Sequence, residues 1–182
     1  IKANNPENNR ASALIGYFSA GSVSGVSVRN LELKGYQKLA GIIANLSPDA
    51  SNNKEILVKD CVVENIKIGA GIRGEVYQAG GLVGYINSSS NAILRFVNCE
   101  VNGSVEINDT PILDYPSCYN FYSNGFIGSI SSNEDDSKNP IIYIDDCKVV
   151  GVSATPALSL SPSGCSFFGD CVTEANPVAS RK

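Results

Sequence analysis

Two short motifs recur along this chain in a fixed order, and that order restricts its folding more than any other feature. The first motif is a small residue, two apolars, a small residue, any residue, then an apolar. It appears as Ala13–Phe18, Gly41–Leu46, Gly81–Ile86 and Gly125–Ile130, with a partial fifth copy at Ser166–Cys171. The second follows each full copy after a variable loop and reads apolar, x, apolar, x, Asn or Asp, Cys or Leu, x, apolar. Its copies run Val26–Leu33, Ile56–Val63, Leu94–Val101 and Ile142–Val149. The first motif returns after 28, 40, 44 and 41 residues, measured at Ile15, Ile43, Val83, Ile127 and Phe168. These intervals lie in the range of roughly 20 to 50 residues typical of solenoid repeats.

Aligned on the second motif, Val26, Ile56, Leu94 and Ile142 fill a first inward site, and Val28, Val58, Phe96 and Ile144 a second. Leu31, Cys61, Cys99 and Cys147 fill a third. Two residues separate the second and third sites, and the latter of the two is Asn30, Asp60, Asn98 or Asp146. Asn and Asp tolerate left-handed backbone, so this column predicts a corner that returns the next side chain to the interior.

Composition agrees with strands and excludes most helix. The chain has 17 Ile and 16 Val against 11 Leu, with 23 Ser, 19 Asn and 17 Gly to supply turns. One coil of such a chain cannot bury its own apolar strip, but coils stacked about 4.8 Å apart place like residues over like. The expected fold is therefore all-β, a short parallel β-helix of about four turns with variable polar loops. An antiparallel sandwich of short strands is the competing architecture, and it does not call for motifs that repeat in register. The expected boundaries are an N-terminal arm at 1–13, a β-helix domain at 14–171 and a C-terminal tail at 172–182. The absence of Met, initiator included, predicts a processed chain or a fragment.

The glycine-centred copies Gly41-Ile42-Ile43-Ala44, Gly81-Leu82-Val83-Gly84 and Gly125-Phe126-Ile127-Gly128 resemble the GLUG motif. That element occurs in tandem in bacterial and protist surface proteins, adhesin-like proteins and some secreted peptidases. With the Cys-bearing strands, the resemblance covers about residues 13 to 171. It implies a right-handed β-helical, extracellular module of adhesive or scaffolding type. The pattern departs at Ala13, Ala44 and Ser166, where another small residue replaces Gly, and no peptidase machinery or catalytic residue is carried over.

Function classes narrow further by what is missing. There is no His, which removes the Ser/His/Asp, Cys/His and HExxH routes within this chain. A net charge of −4 without a basic patch argues against nucleic acid, and no apolar run is long enough to span a bilayer. Glu134, Asp135 and Asp136 fall together in one loop, and Asp60 and Asp146 are explained as corner residues, so no catalytic site, metal or cofactor is expected.

Six Cys fit an oxidising compartment. Cys61, Cys99 and Cys147 are expected to pack as small hydrophobes in one ladder, although a Cys61–Cys99 disulfide also suits one sheet spacing. Cys118 and Cys165 lie just before the fourth and fifth glycine motifs and form the preferred disulfide; Cys171 takes an inward site, as a buried thiol or bonded near the rod's end. Four glycosylation sequons begin at Asn45, Asn87, Asn102 and Asn108, and Asn45 and Asn87 are expected to face solvent. Tyr17 and Tyr85 form a repeated outward aromatic pair, candidates for glycan contact. The expected function is an extracellular structural or adhesive module, a subunit of a cell-surface or secreted fibre that polymerises with its own copies through the coil ends and terminal arms. The alternative is a carbohydrate-binding or polysaccharide-cleaving β-helix protein.

Overall fold

A computed structural model of the chain describes residues 10–35, 38–49, 55–70, 78–87, 91–102, 105–108, 122–130, 139–150, 152–155 and 179–181. Among these residues there is no helix, and every strand pair is parallel. The strands form four sheets, and the chain visits them in the same order in each of the four tiers. One sheet sets β1 (Arg10–Ser12), β5 (Lys38–Ala40), β9 (Gln78–Gly80) and β14 (Tyr122–Asn124) side by side. The next holds β2 (Ile15–Phe18), β6 (Ile43–Leu46), β10 (Val83–Ile86) and β15 (Ile127–Ile130). The third holds β3 (Ser22–Ser24), β7 (Ile56–Lys59), β11 (Ile93–Val97), β16 (Ile141–Asp145) and β19 (Ala179–Arg181). In the fourth, β4 (Ser27–Gly35) lies beside β8 (Val62–Ala70). Then come β12 (Glu100–Asn102) with β13 (Val105–Asn108), and β17 (Lys148–Val149) with β18 (Val152–Thr155). Each repeat thus lays one tier across all four sheets: β1–β4, β5–β8, β9–β13 and β14–β18.

The first motif stacks as its sequence alignment requires, with Ile15 beside Ile43, Ile43 beside Val83, and Val83 beside Ile127. Its small residues exist because backbones approach one another here. A Cβ on Gly84 would lie 2.7 Å from the carbonyl oxygens of both Ala44 and Leu39, and one on Gly128 would lie 2.5 Å from that of Gly84. The adjoining turn continues the ladder between tiers, from Ala13 N–H to Gly41 O at 3.1 Å, Gly41 to Gly81 at 2.9 Å and Gly81 to Gly125 at 3.1 Å.

The corner column is present in three tiers. Asp60, Asn98 and Asp146 have φ between 50° and 53°, the left-handed region, and Asn30 (φ 52°) turns in the same way at a different place in the stack. In the second tier Val58 points inward, Lys59 outward, Asp60 turns, and Cys61 points inward again. Asn98 donates its Nδ2 to Asp60 Oδ1 at 2.8 Å, which ties the second and third tiers on their outer face.

One alignment is corrected by the register. Leu31 does not belong to the cysteine column: it pairs with Ile66, Val28 pairs with Val63, and Val23 takes the place beside Val58. Val26 occupies the cysteine position in the first tier, with its carbonyl accepting from Val62 N at 2.8 Å, and Gly25 (φ 68°) makes the corner. The source of the error is a second corner of the same kind. Asn30 stacks on Asn65, also at φ 52°, and Val28-Arg-Asn-Leu-Glu-Leu33 matches Val63-Glu-Asn-Ile-Lys-Ile68 better than it matches the stretch around Asp60. Pairing also reaches beyond residues 14–171, since β1 lies in the expected arm and β19 in the expected tail.

The core runs through the stack as columns of like residues. Leu39, Ile42, Ile43, Leu46, Ile56, Ile66, Ile68, Leu82, Ile86, Phe96 and Phe126 are all fully buried, and each contributes on the order of 1.5–3 kcal/mol relative to exposure. Phe96 and Phe126 meet edge to face, with centroids 5.7 Å apart and planes at 77°.

Candidate functional site

The aromatic column proposed from sequence is a real row of neighbours. Tyr17 pairs with Asn45, Asn45 with Tyr85, and Tyr85 with Ser129 across the four tiers of one sheet. The adjoining sheet adds two cations. The Arg10 guanidinium lies 5.1 Å from the centroid of Tyr17, and the Lys38 ammonium 4.4 Å from that of Tyr85. Arg10 and Lys38 are themselves register partners on β1 and β5. Burial, followed by the charge of Arg10, holds the Lys38 ammonium below its ordinary pKa. Two like charges one strand apart, each above a tyrosine ring, make an electropositive aromatic strip on an acidic protein.

Asn45 was expected at the surface and is buried, at 3% exposure. Its register partners in the tiers on either side are both tyrosines. Its Oδ1 has no hydrogen-bond partner, and a folded chain leaves no room for a glycan on this side chain. The hydroxyl of its sequon is occupied as well, because Asn87 donates Nδ2 to Ser47 Oγ at 3.2 Å. Asn87 is half-buried rather than fully exposed. Asn102 is half-buried and donates to Glu100 Oε1 at 2.7 Å, while Asn108 lies in β13.

Arg10 and Lys38 were not singled out from the sequence, although a signal existed. A short segment ending in a small or polar residue precedes each glycine motif at constant spacing: Arg-Ala-Ser, Lys-Leu-Ala, Gln-Ala-Gly and Tyr-Ser-Asn before positions 13, 41, 81 and 125. Assigning residues 1–13 to an arm concealed the first of these.

The cysteine column is the second notable constellation. Cys61, Cys99 and Cys147 are free thiols, the first two buried and the third partly exposed. Each Sγ lies over the carbonyl two residues before it, across the corner: Cys61 to Lys59 at 3.2 Å, Cys99 to Val97 at 3.4 Å and Cys147 to Asp145 at 3.4 Å. Cys99 sits between two thiols, and its side-chain interactions with Cys147 and then Cys61, followed by burial, raise its pKa strongly. Interaction with Cys99 lowers Cys61 to about 7 and lowers Cys147, in each case against the effect of burial. Cys118, Cys165 and Cys171 lie outside the described residues.

Ion pairs engage charged groups elsewhere on the described surface. Arg29 Nε meets Glu64 Oε2 at 3.0 Å between the first two tiers, and Arg95 Nε meets Glu55 Oε1 at 2.9 Å while stacking 4.2 Å over Tyr143. Among the described residues no group of three or more His, Cys, Asp or Glu could hold a metal ion, and no helix is long and apolar enough to cross a membrane. Glu134, Asp135 and Asp136 lie outside the described residues. No family model matches this chain, and neither a curated protein nor a solved structure does.

Proposed function

We propose that the chain is a right-handed parallel β-helix of about four turns that works outside the cell as a structural or adhesive module, and that copies of it join end to end in a fibre. One observation carries this reading. Among the described residues the exposed large hydrophobics are Leu14 and Tyr17 in the first tier and Ile141 and Val150 in the fourth, with none in the two tiers between. Leu14 is 54% exposed, whereas Ile42, Leu82 and Phe126, its counterparts in the stack, are fully buried. Among the described residues no strand pairs with the outer edges of β1, β2, β3 or β4, and apolar side chains lie beside those edges. A second copy suits this end because the repeat already stacks on itself: a further tier brings the same spacing and the same apolar columns. The GLUG resemblance and the Asn-rich, Met-free composition support an extracellular setting, and the reading assigns no enzymatic role.

Sedimentation velocity and electron microscopy of the full chain test the proposal. Wild type should form rods that lengthen with concentration, and Leu14→Asp should stay monomeric with an unchanged circular dichroism spectrum. A wild-type chain that remains monomeric at high concentration, or a Leu14→Asp variant that assembles equally well, would overturn it.

A second reading rests on the strip of Arg10, Lys38, Tyr17 and Tyr85: glycan binding with a preference for acidic saccharides. Rings stack on sugar faces, and the adjacent cations would receive a carboxylate or sulfate. Titration with a uronate polysaccharide and with its neutral analogue tests it. Binding should favour the acidic polymer, weaken with salt and fall at least tenfold in Lys38→Ala. Equal affinity for the two polymers would remove this reading while leaving assembly untouched.

A further inference from the structure

We infer that the cysteine column is an oxidation site in which Cys99 and Cys147 close a disulfide between the third and fourth tiers while Cys61 stays reduced. Three thiols stand in one register. Val97 pairs with Lys59 and with Asp145 on one side of the column, and Glu100 pairs with Val62 and with Lys148 on the other. Neighbouring parallel strands lie about 4.8 Å apart, within the Cα separation of about 4.4–6.8 Å that a disulfide needs. The column ends at Val26 in the first tier, so Cys61 has one thiol neighbour and Cys99 has two.

Spacing alone does not choose between Cys61–Cys99 and Cys99–Cys147, but access does. Cys61 and Cys99 are 0% and 1% exposed, whereas Cys147 is reached by solvent and its Sγ lies 3.4 Å from the Cys99 backbone nitrogen. The oxidant belongs to the class of small-molecule disulfides found outside the cell. The Cys147 thiolate attacks one sulfur of that disulfide, giving a mixed disulfide and releasing one small thiolate. Once Cys147 is held in the mixed disulfide it no longer acts as the partner that keeps the proton on Cys99; Cys99 loses that proton to solvent, its sulfur attacks the Cys147 sulfur, and the second small thiolate leaves. Two protein thiols lose two protons and two electrons, and one small disulfide is reduced to two thiols. The hydrogen bond from Cys99 that favours the Cys147 thiolate makes Cys147 the better first nucleophile. The bond joins residues 48 positions apart and fastens the fourth tier to the third.

Peptide mapping after exposure of the reduced, folded full chain to oxidised glutathione tests the assignment, with free thiols alkylated before digestion. The expected product links the Cys99 and Cys147 peptides, with Cys61 alkylated only after unfolding. Cys147→Ser should slow oxidation of Cys99 at least tenfold, whereas Cys61→Ser should leave its rate within twofold of wild type. A Cys61–Cys99 link as the main product would overturn the inference, as would a chain that shows no Cys99–Cys147 link although Cys147 reacts rapidly with the alkylating reagent. The wild-type map decides the matter even where a variant fails to fold.

Discussion

The first tier and the third are built from the same motif and live in different surroundings. Leu14 and Leu82 hold equivalent positions, yet one is 54% exposed and the other fully buried. Gly16 has nothing within 4 Å of where a Cβ would stand, whereas its counterparts Gly84 and Gly128 are hemmed in by backbone from the adjoining sheet and the tier below. Ile15, Phe18, Val26 and Val28 are only partly buried, while Val83, Ile86, Cys99 and Val101 are closed off. In a stacked architecture a residue's worth is set by its neighbours above and below, so one motif is buried core in the middle and exposed surface in the first tier.

Paired substitutions break or sharpen this contrast. Leu82→Ala should cost about 2–5 kcal/mol through the cavity it leaves, while Leu14→Ala should stay within about 0.5 kcal/mol in the monomer; urea unfolding of both variants measures the difference. Equal costs would mean that the end is covered in solution. Next comes the glycine column, where the sign should reverse. Gly128→Ala forces a methyl against backbone and should lose about 1–3 kcal/mol, while Gly16→Ala meets open space and should gain up to about 1 kcal/mol through the unfolded chain.

The corners give a smaller effect. Asn98→Ala must hold a left-handed conformation and loses the bond to Asp60, so about 1–2 kcal/mol should disappear, and Asn98→Gly should restore part of it by removing the backbone strain. The smallest change is expected at the outer ion pair between tiers. Arg29→Ala removes the contact with Glu64 and should cost under about 1 kcal/mol, and less still at high salt. Thermal melts at two ionic strengths check it; a large, salt-independent loss would show that Arg29 acts through packing instead.

Much of this arrangement could be read from residue order. The glycine motifs align residue for residue in the sheets, and Asn or Asp before an apolar residue marks the left-handed corners. Legibility failed where one signal occurred twice. The first tier contains both a glycine corner at Gly25 and an asparagine corner at Asn30, and aligning the tier on its asparagine shifted Val26 out of the cysteine column and Leu31 into it. Asn45 failed for another reason. Alternation correctly placed it in line with Tyr17 and Tyr85, but whether such a position is wet depends on the size of its neighbours in the tiers on either side, which lie 28 and 40 residues away in the chain.

By itself, the sequence determined the repeat, its register over most of the stack, the corner chemistry and the identity of the inward columns. All of these follow from local sterics and from the period of the apolar residues, which neighbouring residues alone can specify. Only the tertiary structure decided which equivalent residues are buried, that Arg10 and Lys38 stand over two tyrosines, and that of the three thiols in one column Cys147 alone is open to solvent. Those properties belong to contacts between tiers, where the variable loops separate partners by tens of residues and burial depends on what lies above and below.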